Sequence, residues 1–68
     1  MPPFAQVNAY YNMACAHARL GHPDQAFENL GKAIDAGFTN KQLMQQDDDL
    51  ASIRSDARFS TLLGRIPG

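Results

Sequence analysis

The chain has 68 residues, of which 44% are hydrophobic and 19% charged, enough for one small domain and too few for a second or for a substrate cleft of its own. Six Lys and Arg against seven Asp and Glu leave a formal charge of -1, which supplies no long-range attraction to nucleic acid or to an anionic membrane. No apolar run approaches the roughly 20 residues of a membrane helix, no secretory leader is readable, and a single Cys excludes an internal disulfide, a pattern that fits a cytoplasmic setting.

Residues 1–5 read as a lead-in, because Pro2 and Pro3 lack backbone donors and bias their neighbours away from helix. From Ala5 to Leu20 the residues are mostly helix formers, and Val7, Tyr10, Tyr11, Ala14 and Ala18 fall on one stripe at the 3.6-residue period. Gly21 ends this helix in the left-handed conformation it adopts cheaply, and Pro23 suits the first turn of the next. That second helix is expected from Pro23 to about Ala36, with Ala26, Phe27, Leu30, Ala33 and Ile34 inward and Asp24, Glu28, Lys32 and Asp35 outward. Asp24 complements the macrodipole, Glu28 and Lys32 are spaced for an i,i+4 pair, and Gly37 closes the element. Two amphipathic helices joined by so few residues fold back as an antiparallel hairpin.

Thr39 and Gln42 have the spacing of a capping box, which predicts a short helix contributing Leu43 and Met44 to the core. Beyond it, Asp47, Leu50 and Ile53 are matched nine residues later by Asp56, Phe59 and Leu62. Each set reads as an N-cap followed by one apolar face, predicting helices near Asp48 to Arg54 and Ala57 to Arg65. No segment alternates with period two long enough for a strand. The expected fold is all-α: a hairpin over residues 6–38, then two or three short capping helices over 39–66.

Val7 to Asn40 has the 34-residue length of one tetratricopeptide repeat, and the residues extend the likeness. Tyr10 stands where that family usually has Trp, Met13 where it has Leu, Ala14 at the small position and His17 where it has Tyr. Ala26, Leu30 and Ala33 take the small, large and small positions of the second helix, and Gly21 the turn. The alternation has a physical reason, since two helices approach closely only where Ala or Gly faces a large side chain. Gly37-Phe38 replaces the Pro expected at the repeat's end, and the string from there to Leu63 resembles the closing segment of bacterial tetratricopeptide proteins, with Asp48 and Ala57 where Pro is frequent. The resemblance implies an α-solenoid fragment, a terminal repeat and cap that acts as a non-catalytic scaffold for protein contacts.

The residue types that could carry chemistry do not assemble into a site in the sequence. Cys15 and His17 are two apart, about 200° around a helix, so they cannot grip one metal ion, and although His22 is nearby in the turn, no second Cys or well-spaced carboxylate completes a tetrahedral set. Asp47, Asp48 and Asp49 lack the alternation, the central Gly and the final Glu of a calcium loop and read as caps. Neither a metal, a cofactor nor a catalytic residue is expected, and the chain is not expected to be an enzyme. Lys41, Arg54, Arg58 and Arg65 are interspersed with acids, unlike the basic stripe of a nucleic-acid binder.

The resemblance places Asn8, Tyr11, Asn12, Cys15 and Arg19 on the strip of the first helix that lines the concave groove in that family. Their chemistry suits an extended peptide, with Asn amides for main-chain groups and Arg19 for a carboxylate. The expected partner is therefore a protein or peptide. One repeat hides too little apolar surface to be robust alone, so the outer side of the first helix, with Phe4, Tyr10, Met13 and His17, is expected to be covered by an upstream repeat or by a second copy in a homodimer. The alternative is a regulatory or structural C-terminal tail of a larger multidomain enzyme, with no groove ligand of its own.

Overall fold

Two runs of helix formers interrupted at Gly21 become two antiparallel helices in the computed structural model, which describes residues 4–67. Helix α1 spans Phe4–Arg19 and α2 spans Pro23–Asp35. Of the lead-in read over residues 1–5, Phe4 and Ala5 are already helical; Met1 to Pro3, the Phe4 side chain and Gly68 lie outside the described residues. Both helices end in the same way. At the first end the His22 N–H donates to the His17 carbonyl at 2.8 Å and the Gly21 N–H to Ala18 at 3.3 Å, with Gly21 at φ 77°. At the second, the Phe38 N–H donates to Ala33 at 2.9 Å and the Gly37 N–H to Ile34 at 3.0 Å, with Gly37 at φ 116°. These are paired Schellman motifs, which satisfy carbonyls left free at a helix end and require a residue tolerant of positive φ.

The hairpin interface is built from small residues. Ala14 and Ala18 of α1 and Ala26 and Ala33 of α2 are buried in one core with Phe27 and Leu30. Ala14 and Ala26 are both fully buried, as expected of positions where backbones approach. Phe38, just past the Gly37 turn, folds back so that its ring stacks on Tyr11 with centroids 4.7 Å apart. Phe38 is thereby buried in the core shared by the two helices.

The closing segment comprises α3 (Lys41–Gln46), a six-residue 3-10 helix (Asp48–Ile53) and α4 (Ala57–Gly64). The 3-10 helix lies across α1, α4 packs on α2, and α3 rests against the 3-10 helix. Asp47 and Asp56 are the expected caps, accepting from the Asp49 and Arg58 backbone N–H groups. The Thr39–Gln42 capping box does not form. Asn40 is the N-cap instead, its Oδ1 accepting from the Leu43 N–H at 3.1 Å, because the helix begins at Lys41, which makes Leu43 rather than Gln42 the third-position donor. Met44 is buried while Leu43 stays 41% exposed; a helix of this length turns only one face to the core.

Surface charges also pair differently from the helical spacing. Lys32 does not join Glu28; its Nζ sits 5.8 Å from the Tyr10 ring centroid. Arg58 bonds both Asp56 and Asp24 and covers the Phe27 ring at 4.5 Å, and Arg65 reaches Asp35, so α4 is tied to α2 along its length. Among the described residues no helix is long and apolar enough to cross a membrane.

If close approach at the alanines sets the hairpin, Ala26→Leu overpacks it and lowers stability by about 1–3 kcal/mol, whereas Leu43→Ala at the exposed position stays within about 0.5 kcal/mol. Urea unfolding of both variants checks this, and an unchanged midpoint for Ala26→Leu overturns the packing argument.

Candidate functional site

The strip read from the sequence as a groove wall divides into two parts. Asn8 and Asn12 are exposed, while Tyr11 and Cys15 are buried beneath the closing segment. Their cover is Asp47. The Tyr11 hydroxyl donates to Asp47 Oδ2 at 2.8 Å, and the Cys15 Sγ lies 4.0 Å from the same oxygen. Asp47 Oδ1 meanwhile accepts from the Asp49 N–H at 3.0 Å, so one carboxylate both caps the 3-10 helix and receives the tyrosine. Around this centre Arg19 Nη1 meets Asp49 Oδ1 at 3.2 Å, the Ser52 hydroxyl donates to the Ala18 carbonyl at 3.0 Å, and Arg54 Nη2 donates to the Asp47 carbonyl at 2.8 Å. Arg19 therefore holds a carboxylate, and that carboxylate belongs to its own chain.

The electrostatics are set by this geometry. Burial raises the Tyr11 hydroxyl well above its ordinary range, and its bond to Asp47 adds to the rise, since an ionised phenol could not donate. Burial also pushes the Cys15 thiol up to about 11, assisted by the negative charges of Asp47 and Asp49 and opposed by a hydrogen bond from Tyr11. At neutral pH Cys15 is a protonated thiol, a poor nucleophile and a poor metal ligand.

The donor atoms of Cys15, Asp47 and Asp49 lie within 4.8 Å of one another, close enough to suggest a cation site. The donors are already committed. Both Asp47 oxygens accept hydrogen bonds, Asp49 faces Arg19, and the thiol keeps its proton. The arrangement does chemically what a clasp does: it fixes the closing segment on α1.

Two further features are not legible in the sequence. A groove of about 470 Å³ runs between α2 and α4, floored by Phe27 and Leu62 and edged by Asp24, Glu28 and Arg58; it depends on how α4 is laid on α2, which no local pattern encodes. His17 and His22 meet across the hairpin turn, their Nδ1 atoms 3.2 Å apart. Their five-residue separation straddles the end of a helix, so helical spacing alone does not pair them.

No protein-family model, curated protein sequence or solved structure matches this chain.

Removing the clasp's central hydroxyl in Tyr11→Phe leaves Asp47 Oδ2 without its donor in a part-buried place, at a cost of about 1–3 kcal/mol, measurable by urea unfolding; no loss of stability removes the clasp as an anchor. The pH dependence has a definite sign. Because the thiol's folded value of about 11 exceeds its ordinary 9.0, its contribution is complete below pH 9 and is lost as pH rises toward 11, where the unfolded chain has released a proton that the folded one still holds. Thermal midpoints in Cys15→Ser should accordingly fall less over that window than those of the parent chain. Equal slopes contradict the burial of Cys15.

Proposed function

We propose that this chain is a non-catalytic protein–protein interaction module, a terminal tetratricopeptide-like repeat with its cap, whose available side is the outer face of α1. The observation that supports this is the asymmetry of α1. One side is consumed by α2 and by the clasp of Asp47 and Asp49. On the other, Tyr10, Met13 and His17 recur at i, i+3 and i+7 and Leu20 follows just past the helix end, a single stripe; Tyr10 is half-buried at its inner edge beside Lys32, while Met13 is 43% and Leu20 68% exposed. An apolar stripe left open on a short helical unit is what stacking against another repeat, or against a second copy of the chain, uses up.

Sedimentation velocity over a wide concentration range tests this reading. The chain should self-associate with rising concentration, and Met13→Glu combined with Leu20→Glu should abolish association while leaving helicity intact. A parent chain that remains monomeric at millimolar concentration, with full helicity, speaks against the stripe as an interface.

A second reading has its own support. Asp47 and Asp49 already take the places on Tyr11 and Arg19 that a peptide carboxylate would take, which favours a structural or regulatory tail with no groove ligand. Asn12→Ala with Arg19→Ala tests whether the groove strip binds a peptide, separately from the outer stripe. A groove binder loses its partner without unfolding, since the exposed Arg19–Asp49 pair contributes little to stability; a tail changes in neither respect.

A further inference from the structure

We propose that His17 and His22 form a two-imidazole chelate for a late first-row divalent cation, of the Zn²⁺, Ni²⁺ or Cu²⁺ class, at the α1–α2 turn. The separation of their Nδ1 atoms, 3.2 Å, is a hydrogen-bond distance, and it also suits two ligands of one ion. Two metal–nitrogen bonds of about 2.0–2.1 Å spanning that gap enclose an angle of about 100°, near the value of a tetrahedral site. Turning both Nδ1 lone pairs from one another toward the apex of that triangle, with each ring proton carried on Nε2, needs only a swing of each ring about χ2, which for His is a broad well.

The backbone holds the two rings in place before any ion arrives. The His22 N–H donates to the His17 carbonyl at 2.8 Å, so the same two residues that present the imidazoles are also joined by the Schellman bond of the α1 terminus. Gly21 at φ 77° makes that closure possible without strain. His22 is the N-cap of α2 but makes no side-chain capping bond, so its ring is not spent on the helix. The pair is reachable, His22 being exposed and His17 half-buried. The ring planes are inclined at 42° with centroids 5.5 Å apart, so the rings do not lie face to face over one another and block the approach.

Imidazole prefers Zn²⁺, Ni²⁺ and Cu²⁺ to the oxygen-seeking Mg²⁺ and Ca²⁺, which sets the class of cation. With two protein ligands, the remaining coordination positions belong to water. The ion would clip the end of α1 to the start of α2 and stabilise the hairpin by mass action. His17 also lies on the stripe of the interaction reading, but the two are tested apart, since that test changes Met13 and Leu20.

The experiment is a titration of the full chain with ZnCl2, NiCl2, CuCl2 and, as a hard-cation control, MgCl2 in a non-chelating buffer at neutral pH. Thermal unfolding is followed by far-ultraviolet circular dichroism, and the histidine ring resonances by NMR. The expected result is saturable one-to-one binding of at least one of the three imidazole-seeking ions. In the Zn²⁺ titration both His17 and His22 ring signals should shift together in proportion to bound metal, with a rise in the unfolding midpoint of about 5 °C at saturation. His17→Gln, at a half-buried position, and His22→Gln, at an exposed one, should each weaken binding at least ten-fold. Cys15→Ser should leave it unchanged, which separates this site from the Cys15, Asp47 and Asp49 group. No response at millimolar metal, an equal response to Mg²⁺, binding that survives His17→Gln, or binding lost in Cys15→Ser overturns the proposal.

Discussion

The carboxylate of Asp47 is the constraint on which the C-terminal half of the molecule rests. Its backbone terminates α3, its Oδ1 starts the 3-10 helix, its Oδ2 receives the Tyr11 hydroxyl, and its carbonyl accepts from Arg54. The two elements it fastens to α1 are too short to persist alone; isolated helices shorter than about 12–15 residues are marginal in water, and α3 and the 3-10 helix have six residues each. They exist because Leu50, Ile53 and Met44 find a core, and they find it in register because one residue docks to α1 while capping the 3-10 helix. Stability and topology of the closing segment are thus fixed at the same point.

That anchoring decides which surfaces remain. An acidic peptide approaching the Asn8–Asn12–Arg19 strip would have to compete with Asp47 and Asp49, which are tethered and therefore present at high effective concentration. On the outer stripe, by contrast, Met13 and Leu20 stay exposed. A protein surface is available for association only where its own chain has not already satisfied it, and by that criterion the two sides of α1 are unequal.

The sequence carries the periodic elements well and the long-range contacts poorly, for a physical reason. Helix spans, both Gly-terminated ends and the Asp47 and Asp56 caps depend on interactions within about six residues, so Gly21, Gly37 and the nine-residue Asp repeat are sufficient to place them. The Thr39 cap fails because Asn40 offers an equivalent oxygen one position later. Tyr11 and Cys15 fall on a strip that looks open in the sequence, because helical phase specifies a direction and not what lies there; the covering residue comes from 36 and 32 positions away. Arg58 shows the same limit. Its spacing gives no hint that it spans Asp24, Asp56 and the face of Phe27, a cluster that arises only when α4 is laid against α2.

The two ends of the closing segment are held by different physics. The 3-10 helix is fastened by hydrogen bonds that are partly removed from water, where a donor left unpaired is costly. On α4, the ion pairs of Arg58 and Arg65 sit on exposed side chains, with the Asp24 side chain 85% exposed, and such pairs contribute little once solvent and salt screen them. The docking of α4 therefore depends on Phe59 and Ile66, both buried, and on the partly covered Leu62. Arg58 acts there chiefly through its flat guanidinium against Phe27, shielding an aromatic face at the edge of the groove. Polar specificity at one end and apolar burial at the other allow a chain of 68 residues to wrap both helices of its hairpin with three helices that could not stand by themselves.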